Sequence, residues 1–373
     1  KISAFGKFFR AITGHVAFGW QQRLAERVCR DGFPALINYP AGSGRATAIR
    51  LAWLVGAAFR TVHAGPTIPR RLGLCTNRRT AVDATADYAT EVMQQLQAND
   101  TGIVGEVAQR LRSLSRAEVP FSIHSMRGGK HDDLDVLHDW MRDPAQPTVL
   151  SVTVDQLGSR LLFRGYGVRN TIYPMTAGLL GTDTLIVLQE ARASQSFVDT
   201  LRELGRYRSW AERPVPYPFQ VTEVRALPPG NPDDSTALCY DPEHDLDLGS
   251  KARGSKAVKL AKTAKSRDDF ATVIADEALR LGKMLPHGGI VGVIVNTVDS
   301  ARKVHAQLQS VVGPPEKSEI YVELQTGRMR PMDRIRLQRE REATSATTKL
   351  RYVVATQCVE VGSEFSFDAL VSD

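Results

Sequence analysis

One stretch, Asn38-Tyr39-Pro40-Ala41-Gly42-Ser43-Gly44-Arg45-Ala46, constrains the fold more than any other part of the chain. Before it, Ala35-Leu36-Ile37-Asn38-Tyr39 reads as a short buried strand; after it, residues 47–59 read as an apolar helix. A strand that turns through glycines into a helix gathers backbone N–H groups at the positive end of a helix dipole. This is the outline of a phosphate-binding loop, which ends in Gly-Lys-Ser/Thr so that the Lys reaches the phosphates and the hydroxyl holds Mg²⁺. Gly42 and Gly44 supply the glycines, but Arg45 stands at the Lys position and Ala46 at the hydroxyl position.

The surrounding pattern agrees with such a loop. Further strands are expected at residues 71–75, 148–152 and 184–188, alternating with amphipathic helical stretches. Strands alternating with helices argue for a parallel sheet covered on both faces. A turn-rich break follows at Leu227-Pro228-Pro229-Gly230-Asn231-Pro232-Asp233-Asp234. Residues 251–267 then carry seven Lys or Arg and no acid, and Lys256, Lys259, Lys262 and Lys265 share one face if the stretch is helical. Two readings stand for this stretch, a solvated linker helix and an arm that contacts phosphates. A second α/β pattern begins near Asp268, with strands at 292–296 and 350–355. The expected organisation is a first lobe over 1–230, a linker with the basic stretch over 231–267, and a second lobe over 268–373. Because the chain stops directly after an apolar run, the second lobe reads as incomplete.

Composition narrows the function classes. A chain of 373 residues supports two domains with ample cores. No stretch of apolar residues is long enough to span a bilayer, and the N-terminal residues lack the apolar segment of a signal peptide. Cys29, Cys75, Cys239 and Cys358 lie far apart without CxxC spacing, which argues against a zinc site or a disulfide scaffold and for a reducing cytoplasm. A net charge of +7 favours a polyanionic partner.

Four local matches make the reading more specific. Phe18-Gly19-Trp20-Gln21 precedes the glycine loop where superfamily 2 helicases carry an adenine-reading Gln. The stretch Ser151-Val152-Thr153-Val154-Asp155-Gln156-Leu157-Gly158-Ser159-Arg160-Leu161-Leu162-Phe163-Arg164-Gly165-Tyr166-Gly167 resembles a segment of the CRISPR-associated helicase–nucleases of type I systems, above all the subtype called I-U or I-G. Gly327-Arg328-Met329-Arg330-Pro331-Met332-Asp333-Arg334 resembles the strand-binding motif of that family's second lobe. Residues 353–362, which include Thr356, resemble its motif V. The resemblance implies two RecA-like lobes with parallel sheets, ATP and Mg²⁺ as cofactors, and 3′-to-5′ movement along single-stranded DNA opened by a Cascade-type complex. Nucleotide would lie on Gln21, Gly42, Ser43, Gly44, Arg45 and Ala46, with DNA across both lobes. In this subtype an HD nuclease domain follows the helicase lobes and so falls past Asp373, as does the arginine finger. His131-Asp132 and His138-Asp139 look like HD pairs, but an HD metal site needs several further ligands, and no metal is expected there.

At the catalytic positions the chain departs from the family. Where the family reads Asp-Glu-Ala-His, this sequence has Gln189-Glu190-Ala191-Arg192. Glu190 keeps the residue that activates water, Gln189 replaces the metal-binding Asp, and Arg192 replaces the coupling His. The Ser-Ala-Thr that links the lobes becomes Arg225-Ala226-Leu227, and Glu364 stands for an Asp. Both groups expected to hold Mg²⁺ are therefore missing, and a guanidinium cannot occupy the point of an ammonium. Thr47 comes one residue late, turned by about 100° on a helix. Losing charge stabilisation of this kind costs roughly 10²–10⁴ in rate, so very slow or absent ATP hydrolysis is expected. The motif flanks match while the catalytic positions differ, which fits a pseudo-enzyme kept for its DNA-binding shape or a sequence altered on purpose.

The strand-gripping positions are better kept. Asn77-Arg78-Arg79, Arg127-Gly128-Gly129, Thr153 with Gln156, and Gly327-Arg328 resemble motifs that pair arginines and helix N-termini with phosphates. The leading expectation is a CRISPR-associated helicase-like protein acting on single-stranded DNA with impaired hydrolysis. Its rivals are an active ATP-dependent helicase, a non-enzymatic DNA-binding or scaffold subunit of a Cascade-type complex, and a superfamily 2 translocase outside CRISPR systems.

Overall fold

The computed structural model describes residues 2–59, 68–127, 140–165, 169–189, 195–213, 215, 217–226, 236–249, 257–260, 267–285, 289–313, 319–330, 332–333, 336–337, 339–340, 350–359 and 367–373. The chain divides into two compact units, Lys1–Lys256 and Ala257–Asp373.

The first unit opens with α1 (Ile2–Thr13) and α2 (Gly19–Asp31). Phe5, Phe8, Phe9 and Ile12 recur at helical spacing on α1, and all four are buried in the same cluster as Trp20, Leu24 and Val28 of α2. Each fully buried Phe contributes about 2 kcal/mol by burial alone. Then come β1 (Leu36–Asn38), α3 (Arg45–Ala58), β2 (Arg71–Thr76), α4 (Arg79–Ala98), α5 (Gly102–Arg112), β3 (Ser122–Met126) and β4 (Thr148–Thr153). They are followed by α6 (Val154–Leu161), α7 (Tyr173–Leu180), β5 (Thr184–Gln189), α8 (Gln195–Tyr207), β6 (Phe219–Arg225) and β7 (Ala237–Cys239).

These seven strands form one sheet in the order β3-β4-β2-β5-β6-β1-β7, with every pairing parallel. All six residues of β2 and of β4 are buried, as expected of central strands covered on both faces. From Ala48 to Ala58, α3 is buried at all but one position, Arg50, so it runs through the core and not over a surface.

The second unit contains α9 (Arg267–Lys283), β8 (Gly289–Ile294), α10 (Val298–Val312), β9 (Ile320–Gln325), β10 (Leu350–Ala355) and β11 (Ala369–Ser372). Its four strands are parallel in the order β11-β8-β10-β9. Thr297 caps α10 by accepting a hydrogen bond from the Ser300 N–H at 3.1 Å. Val291, Val293, Val354, Val304 and Leu308 form the middle of its core.

Two features differ from the sequence expectation. The strand placed at 292–296 runs instead over Gly289–Ile294, because β10 fixes its register from Leu350↔Gly289 to Ala355↔Ile294. Asn296 lies past it in a loop, its N–H bonded to Asp373 at 3.1 Å. Secondly, the stretch expected as a linker holds β7, which completes the first sheet beside β1. Of the basic stretch, residues 257–260 are irregular and exposed; 251–256 and 261–266 lie outside the described residues.

Candidate functional site

The glycine loop joins β1 to α3 as the sequence implies. Gly42 and Gly44 both have φ of +77°, the left-handed region that other residues enter only with strain. Gly44 is doubly required, because a Cβ there would approach the Gln21 Nε2 to 2.8 Å. The Ser43 hydroxyl turns back to the Pro40 carbonyl at 2.8 Å, closing the loop on itself.

The loop is bound from two sides by side chains of this same unit. Gln21 is 1% exposed. Its Oε1 accepts the Phe18 N–H at 3.0 Å, and its Nε2 donates to the carbonyls of Ser43 at 3.2 Å and Gly44 at 3.5 Å. The residue expected to read adenine is thus turned into the loop. From the other side, Arg45 Nη1 donates to the Arg225 carbonyl at 2.8 Å. That carbonyl ends β6 next to β1 and also accepts the Tyr39 N–H at 3.3 Å. Arg45 ties two strand ends together through its guanidinium, a geometry unlike that of an ammonium directed at a phosphate.

Behind the loop, Trp20 stacks on Tyr39 with ring centroids 4.2 Å apart, and Tyr240 meets Tyr39 edge-on. Burial, aided by the Asp245 carboxylate, pushes the Tyr39 phenol well above its ordinary pKa. Arg23 bridges the Tyr39 hydroxyl and Asp245, and Asp247 accepts the Gly19 N–H at the start of α2. Sequence reading missed this acidic clamp, although Asp241-Pro242-Glu243-His244-Asp245-Leu246-Asp247 is a conspicuous run. It lay inside the supposed linker, and only the pairing of β7 brings it to α2.

The glycines and the first turn of α3 fit phosphate oxygens. They do not fit Mg²⁺, which takes hard oxygen ligands, because Ala46 offers none and Gln189 offers a neutral amide at the end of β5. Glu190, Arg192, Gly128, Glu364 and both His-Asp pairs lie outside the described residues. Among the described residues, no group of three or more His, Cys, Asp or Glu gathers as a metal site would require.

The strand-gripping candidates collect elsewhere on the same sheet. β3, β4 and β2 are neighbours, with Met126↔Val152 and Thr76↔Thr153 in register near their carboxyl ends. Arg127, Thr153, Arg78 and Arg79 therefore follow three adjacent strand ends. Arg79 is the exposed first residue of α4, and Arg78 is its N-cap. Arg127 donates from Nε to Asp83 of α4 at 2.6 Å, so a carboxylate fixes its direction. Thr153 is the N-cap of α6, and Gln156 in the next turn accepts from Arg160. In the second unit, Gly327 and exposed Arg328 follow β9 while Thr356 follows β10. Gln325↔Ala355 pair, and the Thr356 N–H donates to the Gln325 carbonyl at 3.1 Å, which brings the two motifs together.

Comparison with known proteins places this geometry in context. Residues 287–373 match the family model of the CRISPR-associated nuclease/helicase Cas3, C-terminal. The sequence matches none of the curated proteins with which it was compared. Among solved structures, the chain is similar to the Mycobacterium smegmatis helicase Lhr bound to ssDNA and AMP-PNP, with a TM-score of 0.57 and 12% identity over 99% of this chain and 43% of that one. It is similar to T. fusca Cas3 with ATP, with a TM-score of 0.55 and 17% identity over 98% of this chain and 43% of that one. The DUF1998 helicase MrfA bound to DNA and AMPPNP gives 0.56 and 13%, over 99% and 46%. The chain spans less than half the length of each of these structures. Its fold is similar to the RecA-like helicase cores of these structures, and within its second unit residues 287–373 carry the match to the Cas3 model. No helix among the described residues is long and apolar enough to cross a membrane.

Proposed function

We propose that this Cas3-like helicase core grips single-stranded DNA in type I CRISPR interference, as a partner of a Cascade-type complex, while hydrolysing ATP very slowly or not at all. The observation that carries the reading is the bond from Arg45 to the Arg225 carbonyl, in a loop whose Ser43 hydroxyl is turned back on Pro40 and whose position 46 is alanine. The phosphate-binding backbone is intact, so nucleotide binding and nucleotide turnover come apart. Strand gripping draws on Arg78, Arg79, Arg127, Thr153 and Gln156 in the first unit, and on Gly327, Arg328 and Thr356 in the second. Contacts of this type are sequence-independent and weaken with salt. The segment 151–167 supports subtype I-U or I-G, and a protein working on such DNA is cytoplasmic.

The test is ATP turnover with Mg²⁺, with and without single-stranded DNA, in a protein that also carries the arginine finger, beside its variant with Arg45→Lys, Ala46→Thr, Gln189→Asp and Arg192→His. The expected result is a silent native protein that binds DNA, and a variant faster by roughly 10²–10⁴-fold. DNA-stimulated turnover by the native protein would overturn the impaired reading and make it a working motor. Absence of DNA binding would overturn the gripping reading.

A further inference from the structure

Among the described residues, two that are not glycine have positive φ: Asp183 at 55° and Phe163 at 57°. The first has a local explanation. Its carboxylate accepts the Arg70 N–H at 2.9 Å and pairs with the Arg70 guanidinium at 2.8 Å, and aspartate enters this region readily. Phe163 has no such account. It follows α6 in a six-residue C-terminal cap, in which the Arg164 N–H donates to Ser159 at 2.7 Å and the Phe163 N–H to Arg160 at 3.2 Å. The position Phe163 fills in this cap is normally glycine, because a Cβ there crowds the backbone. Burial does not compensate for the strain, since Phe163 is 58% exposed and Leu162 beside it 54%.

The surroundings indicate what an exposed, strained ring is suited to. Met175 on α7, which packs against α6, is also more than half exposed. Arg164 and Arg169 are exposed, and the sequence from Leu162 to Thr182 contains no carboxylate. An exposed ring in a stretch of sequence that carries arginines and no carboxylate matches single-stranded nucleic acid, whose bases stack on rings while its phosphates meet arginines. Moreover, α6 starts at Thr153, directly after the row of strand ends that carries the gripping candidates. Strained residues persist where function requires them.

We propose that Phe163 is a base-stacking residue for single-stranded DNA, with Arg164 and Arg169 on the neighbouring phosphates. This rests on the DNA-gripping reading above. The experiment measures anisotropy of fluorescein-labelled oligo(dT) at fixed salt, together with thermal melting, for the native protein, Phe163→Ala, Phe163→Trp and Phe163→Gly. Phe163→Ala should weaken binding by roughly 10-fold, and Phe163→Trp should keep it. Phe163→Gly should weaken binding as much as Ala does while raising Tm by roughly 2 °C, because glycine relieves the cap. A purely structural Phe163 predicts the reverse for glycine, with affinity unchanged or following stability. If the native protein binds oligo(dT) and all variants bind equally, the stacking role is overturned and the gripping reading stands. If the native protein does not bind, both fall. Unchanged DNA affinity with loss of a protein partner would assign the patch to protein docking and overturn the proposal.

Discussion

The two halves of the first sheet edge handle their polar groups in opposite ways. On the β6-β1-β7 side, the groups that a nucleotide would use are spent on the protein itself: Gln21 on the loop carbonyls, Ser43 on Pro40 and Arg45 on Arg225. On the β3-β4-β2 side, the Asp83 carboxylate aims Arg127, whose side chain is largely buried, while Arg79 at the start of α4 is exposed. One carboxylate cannot satisfy all five guanidinium donors, whereas the carbonyl ties knit the loop into the sheet. The contrast teaches that this sheet does not depend on which side chains stand in the glycine loop. The apolar strands hold the sheet whatever stands at positions 45, 46 and 189, so the loop can become a structural joint while the neighbouring edge keeps its arginines.

The sharpest way to break this comparison is Gly44→Ala. A left-handed φ together with a 2.8 Å approach to Gln21 should cost about 2 kcal/mol and abolish binding of a fluorescent ATP analogue, with oligo(dT) affinity unchanged once the protein is folded. Loss of DNA binding in a folded variant would show that the halves are coupled. Next in size, Arg127→Ala should weaken DNA binding by roughly 10-fold and lower the salt slope by about one. Asp83→Asn should weaken it less, because it frees the arginine without removing it; an effect larger than that of Arg127→Ala would mean that Asp83 matters for folding and not for aiming. The smallest effect belongs to Arg45→Ala, which should lower stability by about 1 kcal/mol in denaturant melts and leave DNA affinity intact. No change in stability would mean the strand tie is incidental.

Much of this was legible in the sequence, but unevenly. The strands at 71–75, 148–152 and 184–188 were readable as short stretches rich in apolar residues, and the helix after the loop as a longer one. By contrast, β3 (Ser-Ile-His-Ser-Met) and β7, of three residues, carry no such pattern; they are strands because neighbours pair with them. The loop glycines were legible since only glycine tolerates their φ. What the sequence did not reveal was the direction of side chains: that Gln21 faces the loop, that Arg45 reaches Arg225, and that Asp83 holds Arg127. Each joins residues between 22 and 180 positions apart, and no local pattern encodes such partners. Phe163 was visible within a family-like segment, yet its strain depends on a backbone angle and so could not be read beforehand.

The position of β1 also bears on how the protein is made. This three-residue strand pairs with β6 at Glu223–Arg225 and with β7 at Ala237–Cys239, roughly two hundred residues further along. Parallel pairings across such separations form slowly, since the chain must close a long loop before any contact rewards it. During synthesis, residues 36–38 leave the ribosome well before residues 223–225 and 237–239 and wait for both partners. The glycine loop, encoded well ahead of both partner strands, is therefore set in place only after most of the first unit has been translated, and until then β1 is an unpaired apolar edge of the kind that chaperones cover.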